Sequence, residues 1–260
     1  MIDAFLNLPN HLRKRLISAL ESGLIGPPFT SAIFHSVLGI KERTEDVVDA
    51  VLELERLGVS GSVAAAWFRT IEETNSRISR PDLVWSGPEV AGLHARDTRR
   101  VYEELLSSAT RSIWASTYAF FDGPKAFGVL AHRMDAKPEI RVTLLLNIQR
   151  KKGDTTAADH LVRSFADRFW DAEWPGSVRP SVYYDPRALD LEGPGGVLHA
   201  KAVVADEETV FITSANLTEA ALDRNIEVGV LYRDRAMALS LSTHFQALID
   251  QKLLSPLPAD

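Results

Sequence analysis

The polar residues of this sequence that could carry out chemistry lie within residues 195–229. His199 and Lys201 are two residues apart in an apolar segment that we predict to be a strand, so their side chains would project from one face. Ser214 and Asn216 are also two residues apart, directly after the next apolar segment. Because the chain would return there as an antiparallel neighbour, we predict that all four side chains face one pocket.

Two carboxylates complete this group. Glu227 lies in a third apolar segment, where a buried carboxylate is costly without a partner, and a histidine ring is the natural candidate. Asp206 opens the predicted turn between the first two strands. A neutral imidazole is a competent nucleophile, an ammonium and an amide stabilise charge on non-bridging oxygens, and a carboxylate fixes the histidine tautomer. The set suits attack on a phosphodiester and requires no metal ion or other cofactor.

Alternating strands and helices must position these side chains. Apolar segments of strand length and composition occupy residues 113–121, 142–146, 182–184, 198–205, 210–213 and 226–232. Helical patterns separate several of them, at residues 97–109, 124–134, 155–170 and 234–252. This order predicts an α/β domain in which helices pack on a sheet.

Residues 1–80 are predicted to form a separate helical region. Its helices are expected near residues 12–23, 30–38, 44–58 and 62–78. Short helices with tight turns resemble DNA-binding helix-turn-helix arrangements, but the third helix is strongly acidic. We therefore favour a docking or dimerisation region over one that reads DNA.

The composition indicates an ordinary globular protein of 260 residues. The sequence has no cysteine, which excludes disulfides, thiol nucleophiles and cysteine-ligated metal sites. The N-terminus lacks a basic segment and no apolar run approaches the roughly 20 residues that span a bilayer, so we expect a cytoplasmic protein with no membrane partner. A net charge of -6 argues against general polyanion binding, so any phosphate site must be local.

The spacing of the chemical residues resembles a known signature. The stretch HAKAVVADEETVFITSAN, residues 199–216, is similar to the HKD motif of the phospholipase D superfamily, usually written HxKx4Dx6G(S/T)xN. The single departure is Thr213 at the glycine position, which removes no catalytic side chain. Glu227, eleven residues after Asn216, matches the acidic position that follows the motif in small single-motif bacterial nucleases. The resemblance implies a phospholipase D-like mixed sheet flanked by helices over residues 81–255.

This resemblance also implies a mechanism and a set of site residues. The residues that the motif assigns to the site are His199, Lys201, Asp206, Ser214, Asn216 and Glu227. His199 would attack phosphorus to form a phosphohistidine, and water would then release the product. Lys201 and Asn216 would hold the phosphoryl oxygens, Ser214 would support the site, and Glu227 would orient an imidazole.

The implied reaction needs a second histidine, which protonates the leaving oxygen and activates the water. The only partial echo of His-x-Lys in the sequence is His94-Ala95-Arg96, which lacks the downstream Asp and Ser-x-Asn and precedes a predicted helix. We therefore predict a homodimer in which two copies of His199 meet across a two-fold axis.

Substrate contacts are predicted beside the motif. Arg150 and Lys151 follow the predicted strand at residues 142–146, near the end where α/β sheets bind ligands, although a basic surface loop fits them equally well. Tyr118 belongs to a mainly buried aromatic group, and it could also reach the mouth of the site and stack on a base.

The leading functional hypothesis is a metal-independent phosphodiesterase that acts on nucleic acid, with DNA as the favoured partner. The segments LLLNIQR and SANLTEAALDRNIEVG are similar to the phospholipase D-like component of the bacterial DISARM anti-phage system, which would add other defence-system subunits as partners. Two alternatives stay open. One is a nucleic-acid-binding or scaffolding subunit with dispensable turnover; the other is a phospholipid hydrolase, which the lack of a basic amphipathic helix disfavours.

Overall fold

The computed structural model describes the chain in five stretches, residues 2–39, 44–78, 80–88, 94–191 and 195–259. The chain divides into two compact units, Met1–Ser79 and Arg80–Asp260. Across the described stretches, every helix is too short or too polar to cross a bilayer.

The first unit is helical. Its helices are α1 (Ile2–Leu6), α2 (Asn10–Glu21), α3 (Ser31–Leu38), α4 (Thr44–Arg56) and α5 (Gly61–Arg77). Apolar residues at helical spacing give each long helix one buried face, and these faces meet in a core that includes Leu16, Phe34 and Phe68. Gly39 ends α3 in the left-handed conformation, with φ of 74°, which glycine adopts without strain. The four predicted helices are present, and α1 is an addition to them.

The second unit is built on a mixed sheet. Its strands are β1 (Asp82–Ser86), β2 (Arg96–Asp97), β3 (Ser112–Thr117), β4 (Arg141–Leu146), β5 (Ser181–Tyr184), β6 (Ala202–Ala205), β7 (Thr209–Thr213), β8 (Glu227–Arg233) and β9 (Ser255–Pro256). Among the described residues the strand order is β2-β1-β8-β7-β6-β3-β4-β5-β9. The pairs β1–β2, β3–β4 and β4–β5 are parallel, and the other neighbouring pairs are antiparallel.

Helices cover both faces of this sheet. They are α6 (Thr98–Ser108), α7 (Gly123–Ala136), α8 (Ala158–Arg168), α9 (Glu219–Asp223) and α10 (Arg235–Asp250), with a π-helical turn at Phe169–Glu173 and a 3-10 turn at Pro186–Leu189. Side chains alternate along each strand, so Leu144 and Val203 pack with the core beneath α6, α7 and α8. Their neighbours Leu145 and Val204 face α10 instead. The predicted α/β mixed sheet flanked by helices is confirmed.

The strand register brings several strand ends to one edge of the sheet. Ser116 near the end of β3 pairs with Ala202 at the start of β6 and with Leu145 near the end of β4. Thr213 at the end of β7 pairs with Gly229 near the start of β8. The edge where β3, β4, β5 and β7 end and β6 and β8 begin is called the site edge below.

One face of the sheet carries an exposed apolar row. Leu83 of β1 pairs with Val230 of β8, which in turn pairs with Ile212 of β7, so the three side chains lie side by side. All three are exposed, as is Val228 on the same face. The row spans three adjacent strands, and its last member lies next to Glu227 at the site edge.

One predicted strand is shorter in the structure. The sequence predicts a strand over residues 198–205, but β6 begins only at Ala202. Side chains bind the backbone before that point, because Asn147 Oδ1 accepts from the Leu198 N–H at 3.3 Å and Ser116 Oγ donates to the Ala200 carbonyl at 2.8 Å. His199 and Lys201 therefore lie on an irregular segment and not on a strand.

Candidate active site

His199 and Lys201 come together although they do not lie on a strand. The Lys201 ammonium folds back, with Nζ 3.1 Å from His199 Nδ1 and 2.9 Å from the His199 carbonyl oxygen. His199 is exposed, whereas Lys201 is buried. The predicted pairing of an imidazole with an ammonium is thus present. It arises because the Lys201 side chain folds back on His199, and not because the two residues alternate along a strand.

Burial disfavours the charged form of the Lys201 side chain. Burial lowers the pKa of Lys201 from its ordinary value, and the charge of Glu227 partly opposes this effect. Among the described residues, no carboxylate lies within ion-pair distance of Nζ. A buried cation without a paired carboxylate favours an anionic ligand, since that ligand offsets the desolvation.

Asn216 is held with its amide nitrogen free to act as a donor. Its Oδ1 accepts a hydrogen bond from the Ala119 N–H at 3.2 Å, which fixes the orientation of the side-chain amide. The neighbouring backbone is tied to the end of β3, because the Leu217 N–H donates to Thr117 Oγ1 at 3.2 Å. The site edge therefore supplies both the position and the orientation of Asn216.

Ser214 and Glu227 form a pair across β7 and β8. Ser214 Oγ donates to Glu227 Oε2 in a short hydrogen bond and accepts from the Val228 N–H at 3.1 Å. The other carboxylate oxygen of Glu227 accepts from Asn225 Nδ2 at 3.3 Å. The expected imidazole partner of Glu227 is not found in this chain: within the described residues its hydrogen bonds go to a hydroxyl and an amide.

Tyr118 lies beside the imidazole. Its ring centroid is 4.7 Å from that of His199, and Lys201 Nζ lies 5.8 Å from the same centroid. Tyr118 directly follows β3, so the site edge places it there. The half-buried ring thus forms one wall of the His199 site, where a planar group of a substrate could stack.

Thr213 shows how the departure from the motif glycine is accommodated. It lies opposite Gly229 in the β7–β8 ladder, and a Cβ on Gly229 would lie 3.0 Å from Thr213 Cβ and 2.7 Å from a Phe211 ring carbon. The Thr213 hydroxyl donates to the Val228 carbonyl at 3.3 Å and accepts from the Ala215 N–H at 3.0 Å. Thr213 thus adds a side chain on β7 where the motif has glycine. Gly229, which has no side chain, leaves room for it on β8.

Asp206 does not join the other motif residues. It follows the end of β6 that is remote from Lys201, and five residues of extended chain span about 16 Å. Its carboxylate accepts hydrogen bonds from the N–H groups of Thr110, Arg111 and Ser112. Burial opposes ionisation, but these bonds outweigh it and lower the pKa of Asp206. The structure therefore does not bring Asp206 together with His199 and Lys201, because its carboxylate anchors the loop before β3.

We predict a stability effect for Asp206→Asn. The amide tolerates the left-handed conformation of this position, where φ is 55°, but loses the charge that the three N–H groups bind. We expect a loss of about 2 kcal/mol in the free energy of unfolding at neutral pH. Because the folded pKa is lowered, the difference should shrink as the pH falls below about 4 and the wild-type carboxyl is protonated.

Chemical denaturation at neutral and acidic pH measures this effect. Glu207→Gln is the control, since it removes one carboxylate charge from the same turn without removing a backbone anchor. Equal destabilisation by the two variants would mean that general charge, and not the anchor, explains the result.

The predicted substrate contacts have different environments. Two nitrogens of Arg150 bind the backbone: Nε donates to the Leu189 carbonyl at 2.9 Å, and Nη1 donates to the carbonyls of Asp154 and Thr156 at 3.0 and 2.6 Å. Arg150 therefore joins neighbouring loops, and its contact with a phosphate stays a prediction. Lys151 is exposed and remains a candidate contact.

Sequence reasoning missed one cation at the site edge. Arg187 follows β5 in the 3-10 turn and binds the buried carboxylate of Asp185. The segment Asp185-Pro186-Arg187, a proline turn directly after an apolar strand, was the signal that could have pointed to it. Across the described parts of the chain, no three metal-binding side chains are grouped so that they could hold an ion.

The comparisons with known proteins agree with this geometry. The family model described as "Cardiolipin synthase, PLD-like domain" matches residues 102–249. The chain is 28% identical over 151 residues to cardiolipin synthase A of Pseudomonas entomophila (strain L48), covering 57% of this chain and 27% of that protein. It is 24% identical over 181 residues to the probable cardiolipin synthase YwiE of Bacillus subtilis (strain 168), covering 67% of this chain and 30% of that protein. The chain thus spans less than a third of these curated relatives.

Among solved structures, NucT from Helicobacter pylori aligns with a TM-score of 0.46 and 18% identity, covering 66% of this chain and 96% of that one. The family model covers more than half of the chain and includes all the motif residues. The chain therefore belongs to the phospholipase D superfamily, in the family described as the cardiolipin synthase, PLD-like domain.

Proposed function

We propose that this protein is a metal-independent phosphodiesterase that cleaves nucleic acid through a phosphohistidine. The observation that carries the proposal is the convergence of an exposed imidazole, a buried ammonium and an oriented amide at one sheet edge, formed by His199, Lys201 and Asn216. A nucleophile next to two donors for the phosphoryl oxygens is what attack on a phosphodiester needs.

The first step is displacement at phosphorus. A ring nitrogen of His199 attacks the phosphorus, the P–N bond forms, and the bond to the leaving oxygen breaks. Lys201 Nζ occupies one nitrogen lone pair in the present structure, so the ammonium must turn towards the phosphoryl oxygens when substrate binds. The negative charge of the substrate attracts the Lys201 ammonium to the phosphoryl oxygens. This movement frees the His199 nitrogen for attack and stabilises the negative charge that develops on those oxygens.

The first step also needs an acid that protonates the leaving oxygen, and the second step, hydrolysis of the P–N bond, needs a base that activates water. Among the residues that the structure describes, no second histidine contacts His199 to serve as either. A second histidine gives its proton to the leaving oxygen, then takes a proton from water, which attacks phosphorus and breaks the P–N bond. We propose that a second copy of the chain supplies it as its own His199, in a homodimer. The exposed apolar row of Leu83, Ile212, Val228 and Val230 supplies apolar area for such a contact.

Two observations favour nucleic acid as the substrate. The Tyr118 ring beside His199 offers a stacking surface for a base next to the scissile phosphate. The single motif with Glu227 at its downstream position resembles small bacterial nucleases. We further propose DNA as the polymer and a role in bacterial anti-phage defence with other subunits, supported by the LLLNIQR and SANLTEAALDRNIEVG segments.

A second candidate is phospholipid chemistry. The two curated relatives are named as cardiolipin synthases, and the same histidine chemistry can act on the phosphodiester of a phospholipid. This candidate shares the nucleophile and the phosphoryl donors with the first, so only the substrate distinguishes the two.

A substrate panel tests the proposal. We expect purified protein to cleave DNA with EDTA present as fast as without it, because the nucleophile and the charge-stabilising groups are all side chains. Single- and double-stranded DNA, RNA, phosphatidylcholine and phosphatidylglycerol are compared at equal phosphodiester concentration. Turnover of lipid alone would support the second candidate, and loss of DNA cleavage in EDTA that added metal restores would contradict the mechanism.

A further inference from the structure

Arg187 presents a guanidinium that is both exposed and fixed. Its Nε and Nη2 donate to the Asp185 carboxylate at 2.9 and 2.7 Å. Asp185 is 3% exposed, whereas 63% of the Arg187 side chain is exposed. Nη1 donates no hydrogen bond to any residue that the structure describes. One edge of the guanidinium is therefore bound by Asp185, and the other edge faces solvent.

The buried carboxylate orients this guanidinium. Burial raises the pKa of Asp185, but the hydrogen bonds from the Arg187 side chain and N–H outweigh it, so that the pKa lies below its ordinary value. The carboxylate thus stays ionised and keeps the guanidinium in place. A planar guanidinium that is already ordered loses little entropy when it binds a phosphate.

The fixed guanidinium lies next to the segment that leads to His199. A Cβ on Gly196 would lie 3.3 Å from Arg187 Nε, so the backbone of this segment packs directly against the arginine. Gly196 precedes His199 by three residues, which span at most about 11 Å. Since this bound is a few times the axial rise of about 3.4 Å between phosphates on one strand of a duplex, Arg187 lies within a few nucleotides of a phosphate at His199.

The turn that carries Arg187 is itself braced. Arg150 Nε donates to the carbonyl of Leu189 in the same 3-10 turn, which joins this turn to the loop after β4. Lys151 follows directly and is exposed, so a second cation lies beside that brace. The surroundings of Arg187 are therefore rigid and contain a further positive charge for a polyanion.

We propose that Arg187 binds a non-scissile phosphate of a nucleic-acid strand whose reacting phosphodiester lies at His199 and Lys201. This inference rests on the proposed function. It assigns Arg187 to substrate positioning, with the buried Asp185 carboxylate as the group that holds the guanidinium in place. Polymers should benefit from Arg187, whereas a substrate with a single phosphodiester cannot reach it.

The test compares an oligonucleotide with bis(p-nitrophenyl) phosphate, which has no neighbouring phosphate. We expect Arg187→Gln to raise the KM for the oligonucleotide about tenfold more than that for the small diester. The salt dependence of oligonucleotide binding should also fall, by about 0.7 in the slope of log K against log salt for one lost contact with a single strand.

Arg111→Gln is the matched control. Arg111 is similarly exposed and pairs with Glu208, but it precedes β3 at the opposite end of the sheet from the site edge. The control should keep near wild-type KM values and salt slope. Equal behaviour of the two variants would overturn the role of Arg187, as would an equal loss on both substrates.

This test also separates the two proposals. If wild-type protein cleaves neither substrate, the proposed function fails, and oligonucleotide affinity with its salt slope still decides the role of Arg187. If wild-type protein cleaves the oligonucleotide and Arg187→Gln changes neither KM nor slope, the proposed function stands and the inference about Arg187 is wrong.

Discussion

His199→Ala is expected to lower phosphodiester turnover by at least about 10⁴-fold while leaving substrate binding nearly intact. Without the imidazole no P–N bond can form, and loss of a nucleophile costs this much or more in enzymes that use covalent intermediates. Lys201 and Asn216 remain to hold the phosphoryl oxygens, since Lys201 Nζ keeps its bond to the backbone carbonyl at position 199 and Asn216 is oriented by Ala119. The loss should therefore appear in kcat far more than in KM.

Single-turnover assays and mass spectrometry measure this prediction. Wild-type protein quenched during turnover should carry a phosphoryl adduct on the peptide that contains His199, and the variant should carry none. His160→Ala is the control, because His160 is an exposed histidine on α8. A His199→Ala protein that keeps more than about a tenth of wild-type turnover would remove His199 from the role of nucleophile.

The same variant separates catalysis from scaffolding in cells. If the protein has the proposed role in anti-phage defence and that role requires turnover, His199→Ala should lose protection and still bind nucleic acid. Full protection by the variant would support the scaffolding alternative, in which the fold is used for binding alone. The His160→Ala protein should protect as well as wild type in either case.

The residues of the motif were predictable because their chemistry and spacing are tied to strand ends. His199, Lys201 and Asn216 lie where the sequence predicts, although the expected strand around the first two does not form. Strand spacing already separates Asp206 from Lys201, but it could not show that the Asp206 carboxylate binds the N–H groups that precede β3. It also could not predict β1, whose pairing with β8 joins segments far apart in the chain.

Arg187 shows a second limit of sequence reasoning. Its proposed role rests on two features that no local pattern contains: the packing of Gly196, nine residues later, against its side chain, and the hydrogen bond from Arg150 to the Leu189 carbonyl in the same turn. Thr213 is a second residue whose environment could not be predicted from the sequence. The sequence shows that Thr213 replaces the motif glycine, but only the position of Gly229 opposite it in the β7–β8 ladder shows how the strand pair accommodates the side chain.

Mixed dimers are expected to lose activity as the square of the wild-type fraction. If each active site requires His199 from both copies, a dimer of one wild-type chain and one His199→Ala chain has no complete pair. Random pairing of equal amounts then leaves about one quarter of wild-type activity, whereas independent chains would leave about one half. This expectation follows from the proposal that the second histidine comes from a second copy.

Co-expression of differently tagged chains over a range of ratios measures this dependence, with light scattering to record the oligomeric state. Mixtures of wild-type and His160→Ala chains should keep full activity at every ratio, which excludes an effect of mixing itself. A linear loss with His199→Ala would place the acid of the first step and the base of the second within one chain. Among the residues that the structure describes, no imidazole binds the Ser214–Glu227 pair. A quadratic loss would therefore point to His199 of the second copy as the group that completes this pair.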